Sequence, residues 1–274
     1  MSRLGWIAGA VLVAGCGVAP LEQDVVDDVV GPGGKADGAG PPVIETELGA
    51  AFPGLSIEAL APGATPSPET LQNAAIVFRF DVEAGTTFAA TMRGQSGDLD
   101  SVLVLQSDTA TAMSRDQAYL PMAAPHDAML VHTAAADETV ILIATSEGYA
   151  SSGEFALDLV ALPEHPGVDL GWGGRGPELL TESLREREPT VAGYVGAGYY
   201  VEGADGLLAE GPDWTNMTLR ERSESRAFVA AVNRDREELF HHAVSVDNGY
   251  EERPTPEQRA RVGRVLGALW ASLR

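Results

Sequence analysis

Asp98 and Asp100 flank Leu99 just after Gly97. Alternate carboxylates at a tight bend suit a hard, oxygen-ligated cation such as calcium. A plain β-turn uses the same residue types, so both readings stand. The histidines are His126, His132, His165, His241 and His242. None belongs to an HExxH, and the chain has no GxSxG and no cysteine cluster. His241 and His242 are helical neighbours about 100° apart, so they cannot clasp one metal together. His132 lies among apolar strand residues and reads as a packed side chain before a base. Tyr199, Tyr200 and Trp172 could form an aromatic platform for sugar or peptide, with core packing the ordinary alternative. Tyr199, Asp205, Asp213 and His241 are the residues a hydrolase of extracellular polymer would have to gather. A Ser–His–Asp triad assembled across the fold is not visible in sequence. Gly171-x-Gly173-x-x-Gly176 has the form of a dinucleotide fingerprint without a surrounding βαβ pattern. Gly34-Lys35 is similar to a phosphate loop, but Ala36 replaces the required hydroxyl and no strand precedes it. Both are set aside.

One residue offers defined covalent chemistry. Cys16 is the single cysteine and closes the run Val13-Ala14-Gly15-Cys16. Arg3 precedes an uncharged stretch from Leu4 to Gly15. A membrane span needs about 20 apolar residues, so this stretch is too short and fits the apolar core of a signal peptide. The small residues before the thiol resemble the bacterial lipobox. That resemblance implies cleavage after residue 15 and diacylglycerol on the Cys16 sulfur. Each buried methylene contributes about 0.8 kcal/mol, and two or three acyl chains make attachment effectively permanent. The alternative is an ordinary secretory signal cut elsewhere.

The formal charge is −22. Residues 17–162 carry 21 acids against 4 bases, and residues 163–274 carry 19 against 13. Such a surface repels nucleic acid and anionic headgroups, which excludes a nucleic-acid partner. With Cys16 lipidated no internal disulfide can form, so folding must rest on apolar cores. The acidic, Gly- and Pro-rich segment 16–44 reads as a disordered linker. A second Gly/Pro linker is expected at 163–176.

Between these linkers the elements that would position the aspartates read as strands. Ile76, Phe78, Phe80 and Val82 alternate along 76–82. Further runs fall at 86–92, 101–105, 129–132, 139–144 and 153–160. Period-two runs bounded by Gly, Asp and Ser predict an antiparallel β-sandwich, jelly-roll-like, over 45–162. Ile141 to Ala144 lack alternation and predict a central strand buried on both faces. The runs Phe78-Arg79-Phe80-Asp81-Val82-Glu83-Ala84-Gly85, Gly97-Asp98-Leu99-Asp100-Ser101-Val102-Leu103 and Gly153-Glu154-Phe155-Ala156-Leu157 resemble the bacterial pre-peptidase C-terminal domain. That family is a small β-sandwich appended to secreted enzymes, and some members bind calcium or extracellular substrate. Two departures matter: 139–145 lacks the family's usual aromatic, and no peptidase domain is attached.

Residues 177–274 predict a mainly α-helical domain. Pro177 suits a first helical position, and the helix is expected to stop before Pro189. Residues 191–208 read as loop or hairpin. Thr218-Leu219-Arg220-Glu221 and Thr255-Pro256-Glu257-Gln258 are capping boxes. Phe228, Val232, Leu239 and Ala243 form the inward stripe of one helix; Val262, Leu266, Leu269, Trp270 and Leu273 form that of the last. Arg259, Arg261, Arg264 and Arg274 give that last helix a basic face expected to pair with the acidic domain. Gly193-Tyr194-Val195-Gly196, Ala204-Asp205-Gly206-Leu207-Leu208 and residues 228–240 are similar to the YdbL-like family of periplasmic envelope-assembly accessories. The resemblance implies a partner-docking role for Asn233, Arg234 and Arg236. The fold class expected is therefore α+β by domain. The function expected is that of a non-catalytic lipoprotein of the cell envelope, binding an envelope protein or extracellular polymer. The alternatives are the hydrolase, the YdbL-like accessory and a structural spacer.

Overall fold

The computed structural model describes residues 43–46, 48, 51–57, 75–95, 98–114, 119–122, 126–147, 153–168, 170, 175–247 and 254–274. Nine strands precede the helices among these residues: β1 Val43–Glu45, β2 Ala51–Ile57, β3 Ile76–Val82, β4 Thr87–Gly94, β5 Ser101–Gln106, β6 Thr111–Ser114, β7 Ala128–Thr133, β8 Glu138–Ser146 and β9 Gly153–Leu162. They form two sheets, ordered β1-β3-β8-β5-β6 and β2-β9-β4-β7. All pairings are antiparallel except β1 with β3. Without β1, this is the strand order of an eight-stranded jelly roll.

The alternation seen in sequence sorts residues between the two faces of each strand. Phe88, Ala90 and Met92 of β4, Leu130 of β7 and Phe155, Leu157 and Leu159 of β9 face the inter-sheet core. They meet Phe78, Phe80, Leu103, Leu105, Val140 and Leu142 from the other sheet. The predicted central strand is central: β8 lies between β3 and β5. Leu142 points inward, while Ile143 packs with Val77, Val102 and Val104 on the outer face. β2 escapes sequence reading because Pro53-Gly54 interrupts it. The register shifts between Phe52 and Leu55, and β2 is an edge strand, the place where proline is tolerated.

Three helices follow: α1 Arg175–Gly196, α2 Leu219–Asp247 and α3 Pro256–Leu273. Between α1 and α2 lie the hairpin β10 Tyr200–Glu202 and β11 Leu208–Glu210 and a short 3-10 turn, Trp214–Asn216. Both capping boxes are present. Glu221 N–H donates to Thr218 Oγ1 at 3.3 Å and Thr218 N–H to Glu221 Oε2 at 2.7 Å. Thr255 and Gln258 make the same exchange at the start of α3. One expectation fails. α1 does not stop before Pro189 but runs through it to Gly196. Proline removes one backbone hydrogen bond. Leu184 and Val191, on either side of it, are buried in the shared core and hold the helix together across the gap.

The helices cover the outer face of the four-stranded sheet. Ala89, Met129 and Leu162 from that face join Leu170, Leu184, Val191, Val232, Leu239, Phe240, Val262, Leu266, Leu269 and Trp270 in one core. The connecting segment contributes to it, since Leu170 is buried and Val168 packs against the cluster. Arg261 and Arg264 of α3 pair with Glu164 of the connecting segment, and Arg274 pairs with Glu188 and Glu202, so the ion pairs of this basic face run to the connector and to the helical part itself, not to the acidic strands as expected.

Glycine makes the closest approach possible. Gly206, at the tip of the β10–β11 hairpin with φ +78°, lies against Gly263 and Gly267, one turn apart on α3. A Cβ at Gly206 would land on the Gly263 carbonyl, and one at Gly263 would land on the Asp205 carbonyl. Gly85 has φ +80° but open space around it. Gly85→Ala should therefore cost only backbone strain, about 1–2 kcal/mol. Gly206→Ala adds a backbone collision and should lower the thermal midpoint clearly further. Equal midpoints for the two variants would show that the hairpin does not need this contact.

Candidate functional site

An acid-lined recess opens at one end of the sandwich. Its walls are Asp81 and Val82 at the end of β3, Glu83 just after it, Asp108 in the β5–β6 turn, and Asp137, Glu138 and Thr139 entering β8; its volume is about 550 Å³. Two of the carboxylates also fix local structure. Asp137 Oδ1 accepts from Ala84 N–H at 2.9 Å, and Asp81 Oδ1 accepts from Thr139 Oγ1 at 2.8 Å.

Glu138 links the recess to the interior. Its side chain is 1% exposed. One oxygen lies 2.6 Å from His132 Nε2, and the other accepts from Thr109 Oγ1 at 2.5 Å. His132 comes from the four-stranded sheet, Glu138 from the other, and the His132 ring meets Phe88 edge-on at 5.6 Å. The pair is thus a polar clasp between the sheets at the recess floor. Burial pushes the Glu138 carboxyl upward. The hydrogen bonds of Thr109, His132 and Ser107, with the charge of His132, outweigh that push and leave it below the ordinary 4.5. His132 is a satisfied residue, as its apolar neighbours in sequence suggested.

A second polar group lies beneath the helices. Arg236, 1% exposed, donates to Glu202 at 2.6 and 3.0 Å and to the Gly206 carbonyl at 2.9 Å. Its guanidinium also lies 4.7 Å from the Trp270 ring centroid. Burial pulls its pKa down to about 10, so it remains charged at neutral pH. Arg274 pairs with Glu202 and with Glu188. Asn233 brackets β11, accepting from Leu208 N–H at 2.8 Å and donating to its carbonyl at 2.9 Å. Of the three residues expected to dock a partner, Asn233 and Arg236 are spent holding the hairpin to α2. Burial corrects the docking role of Arg236, and Arg234 alone faces solvent.

The other sequence candidates are dispersed. Asp98 is exposed, and Asp100 Oδ1 lies 3.7 Å from His126 Nδ1. Among the described residues no three His, Cys, Asp or Glu side chains are grouped to hold a metal. Tyr200 is buried with its hydroxyl 3.0 Å from Ser225 Oγ; it is a core residue, not part of an open platform. Tyr199 is half-buried beside it. Trp172 and Cys16 lie outside the described residues. Of the hydrolase candidates, Asp205 sits at the hairpin tip, Asp213 beyond its open end, and His241 half-buried on α2. His241 and His242 stand nearly perpendicular with centroids 6.3 Å apart. Sequence reasoning missed Thr109, Glu138 and Glu202. Glu138 had a signal, an acid six residues after His132 across a short connection. Glu202 had none, because its partner is 34 residues away.

No helix among the described residues is long and apolar enough to cross a membrane. No family model matches the sequence, and no curated protein matches it. Among solved structures, the chain is similar to the pre-peptidase C-terminal domain of a collagenase from Bacillus anthracis. The identity is 12%, the match covers 44% of this chain and 98% of that one, and the TM-score is 0.30.

Two predictions follow from the buried charges. Glu138 has a depressed pKa in the fold, so its contribution is complete above pH 4.5 and is lost as pH falls through the lower, folded value. Glu138→Gln should lower stability by about 1–3 kcal/mol at neutral pH and flatten the acid limb of a stability–pH curve. An unchanged acid limb would show that the clasp is not what titrates. Glu202→Gln leaves Arg236 buried without its counter-charge and should cost about 3–5 kcal/mol in denaturant unfolding. A cost near zero would mean that the guanidinium is compensated from elsewhere.

Proposed function

We propose that the protein is a non-catalytic binding module of the bacterial cell envelope. In this reading it is exported by residues 1–15, anchored by lipid on Cys16 and lifted from the bilayer by the segment 16–44. The sandwich then offers its acid-lined recess to a cationic partner, a basic envelope protein or an extracellular polymer bearing amines.

The observation that carries this reading is the recess itself. Both faces of the four-stranded sheet are committed, one to the inter-sheet core and one to the helices. The end of the sandwich remains open and gathers Asp81, Glu83, Asp108, Asp137 and Glu138. Their charge matches the acidic excess of residues 17–162. A concave surface of one sign attracts the opposite charge over a distance and raises encounter rates.

Decalysine serves as the probe for the full-length protein. It should bind in a salt-sensitive manner, and the combined variant Asp81→Asn, Glu83→Gln, Asp108→Asn, Asp137→Asn should weaken it about tenfold, from pairs contributing about 0.2–1 kcal/mol each. Undiminished binding by the variant would sink the recess as the site. Separately, mass spectrometry of the native protein should find acylated Cys16 at the N-terminus, and Cys16→Ser should release the protein from membranes.

A further inference from the structure

A small cavity of about 230 Å³ lies where the hairpin tip, α2 and α3 meet. It is lined by Asp205 and Leu207 from the hairpin, Glu237 and Phe240 from α2, and Pro256, Arg259 and Ala260 from α3. Its chemistry is mixed. Leu207, Phe240 and Pro256 are apolar, Asp205 and Glu237 bring negative charge, and Arg259 brings positive charge.

Arg259 is the unusual member. Its Nε is closed off from solvent and has no hydrogen-bond partner. Among the described residues its guanidinium makes no ion pair, although two carboxylates line the same cavity. Four other arginines of this region are paired: Arg261 and Arg264 with Glu164, Arg236 with Glu202, Arg274 with Glu188. A desolvated donor without an acceptor costs free energy unless a ligand supplies one. Asp205 spends one oxygen on Leu207 N–H at 3.1 Å, and that contact fixes the carboxylate at the rim. Phe240 cannot turn away, since it stacks on Trp270 with centroids 5.9 Å apart.

We infer that this cavity binds a small zwitterion, an α-amino acid with an apolar side chain. The ligand carboxylate meets Arg259, its ammonium group meets Asp205 and Glu237, and its side chain lies against Leu207 and Phe240. The volume sets the size class, for pockets that take drug-sized molecules run from roughly 300 to 1,000 Å³. A plain anion would be repelled by the two carboxylates, and a plain cation by the guanidinium. Only a molecule carrying both charges satisfies all three groups. The inference is independent of the acidic recess, which lies on the sandwich.

L-leucine is the probe, titrated into the full-length protein by calorimetry and by saturation-transfer NMR. It should bind saturably. N-acetyl-leucine, which lacks the ammonium charge, and leucinamide, which lacks the carboxylate, should each bind at least about tenfold more weakly. Arg259→Met should cost a similar factor, and Glu237→Gln, at an exposed position, a smaller one. Neither variant should melt below the parent without ligand, and Arg259→Met should melt at or above it because the stranded donor is gone, which separates lost binding from lost folding. Absence of saturable leucine binding overturns the inference. So does equal binding of leucine and N-acetyl-leucine, or full affinity in Arg259→Met.

Discussion

The structure depends on the burial of one indole. Trp270 of α3 is fully enclosed, and its Nε1–H donates to the Tyr119 carbonyl at 3.1 Å, across 151 residues of sequence. Phe240 stacks on one side of the ring, and the Arg236 guanidinium lies close to it. That single side chain therefore ties the last helix to the sandwich, to α2 and, through Arg236, to the hairpin. Burying a side chain of this size contributes on the order of 3–5 kcal/mol, a large part of the stability of an ordinary domain. The indole donor is satisfied, so the gain is not offset by a stranded polar group.

Two kinds of polar cluster follow from that arrangement. Arg236, Glu202 and Arg274 are drawn under the helices, where their pairing orients the hairpin against α2 and α3. His132, Glu138 and Thr109 close the sandwich between its sheets. The recess and the small cavity lie beside these clusters and borrow rigidity from them. Glu138 is shared between clasp and recess, and Phe240 between core and cavity.

Most of the fold was legible because each strand and helix carries a local period. The runs at 76–82 and 153–160 alternate, 101–105 is a short apolar run buried on both faces, and their ends are marked by Gly, Asp and Ser. Both capping boxes announce their helices. What escaped was either too short, as with β1 and β6, or broken by proline, as with β2. Pro189 misled in the opposite direction, because tertiary packing at Leu184 and Val191 overrode a local helix breaker. The candidate sites were less legible. Glu202 with Arg236, or Arg259 with Asp205, are neighbours only through the fold, and no spacing rule connects them. Arg236 was visible as a charged residue, but its place in the buried stripe of α2 was hidden by its charge.

The covering of the four-stranded sheet has a consequence for how the chain is made. Ala89, Met129 and Leu162 are in place long before α3 is synthesised, yet α3 is what shields them. A half-finished chain thus presents a sticky, strand-rich flank with its cover still missing. Contacts between residues so far apart in sequence are slow to form. The interval is a window for mispairing with another copy. A helper that coats nascent chains would bridge it until the final helix arrives.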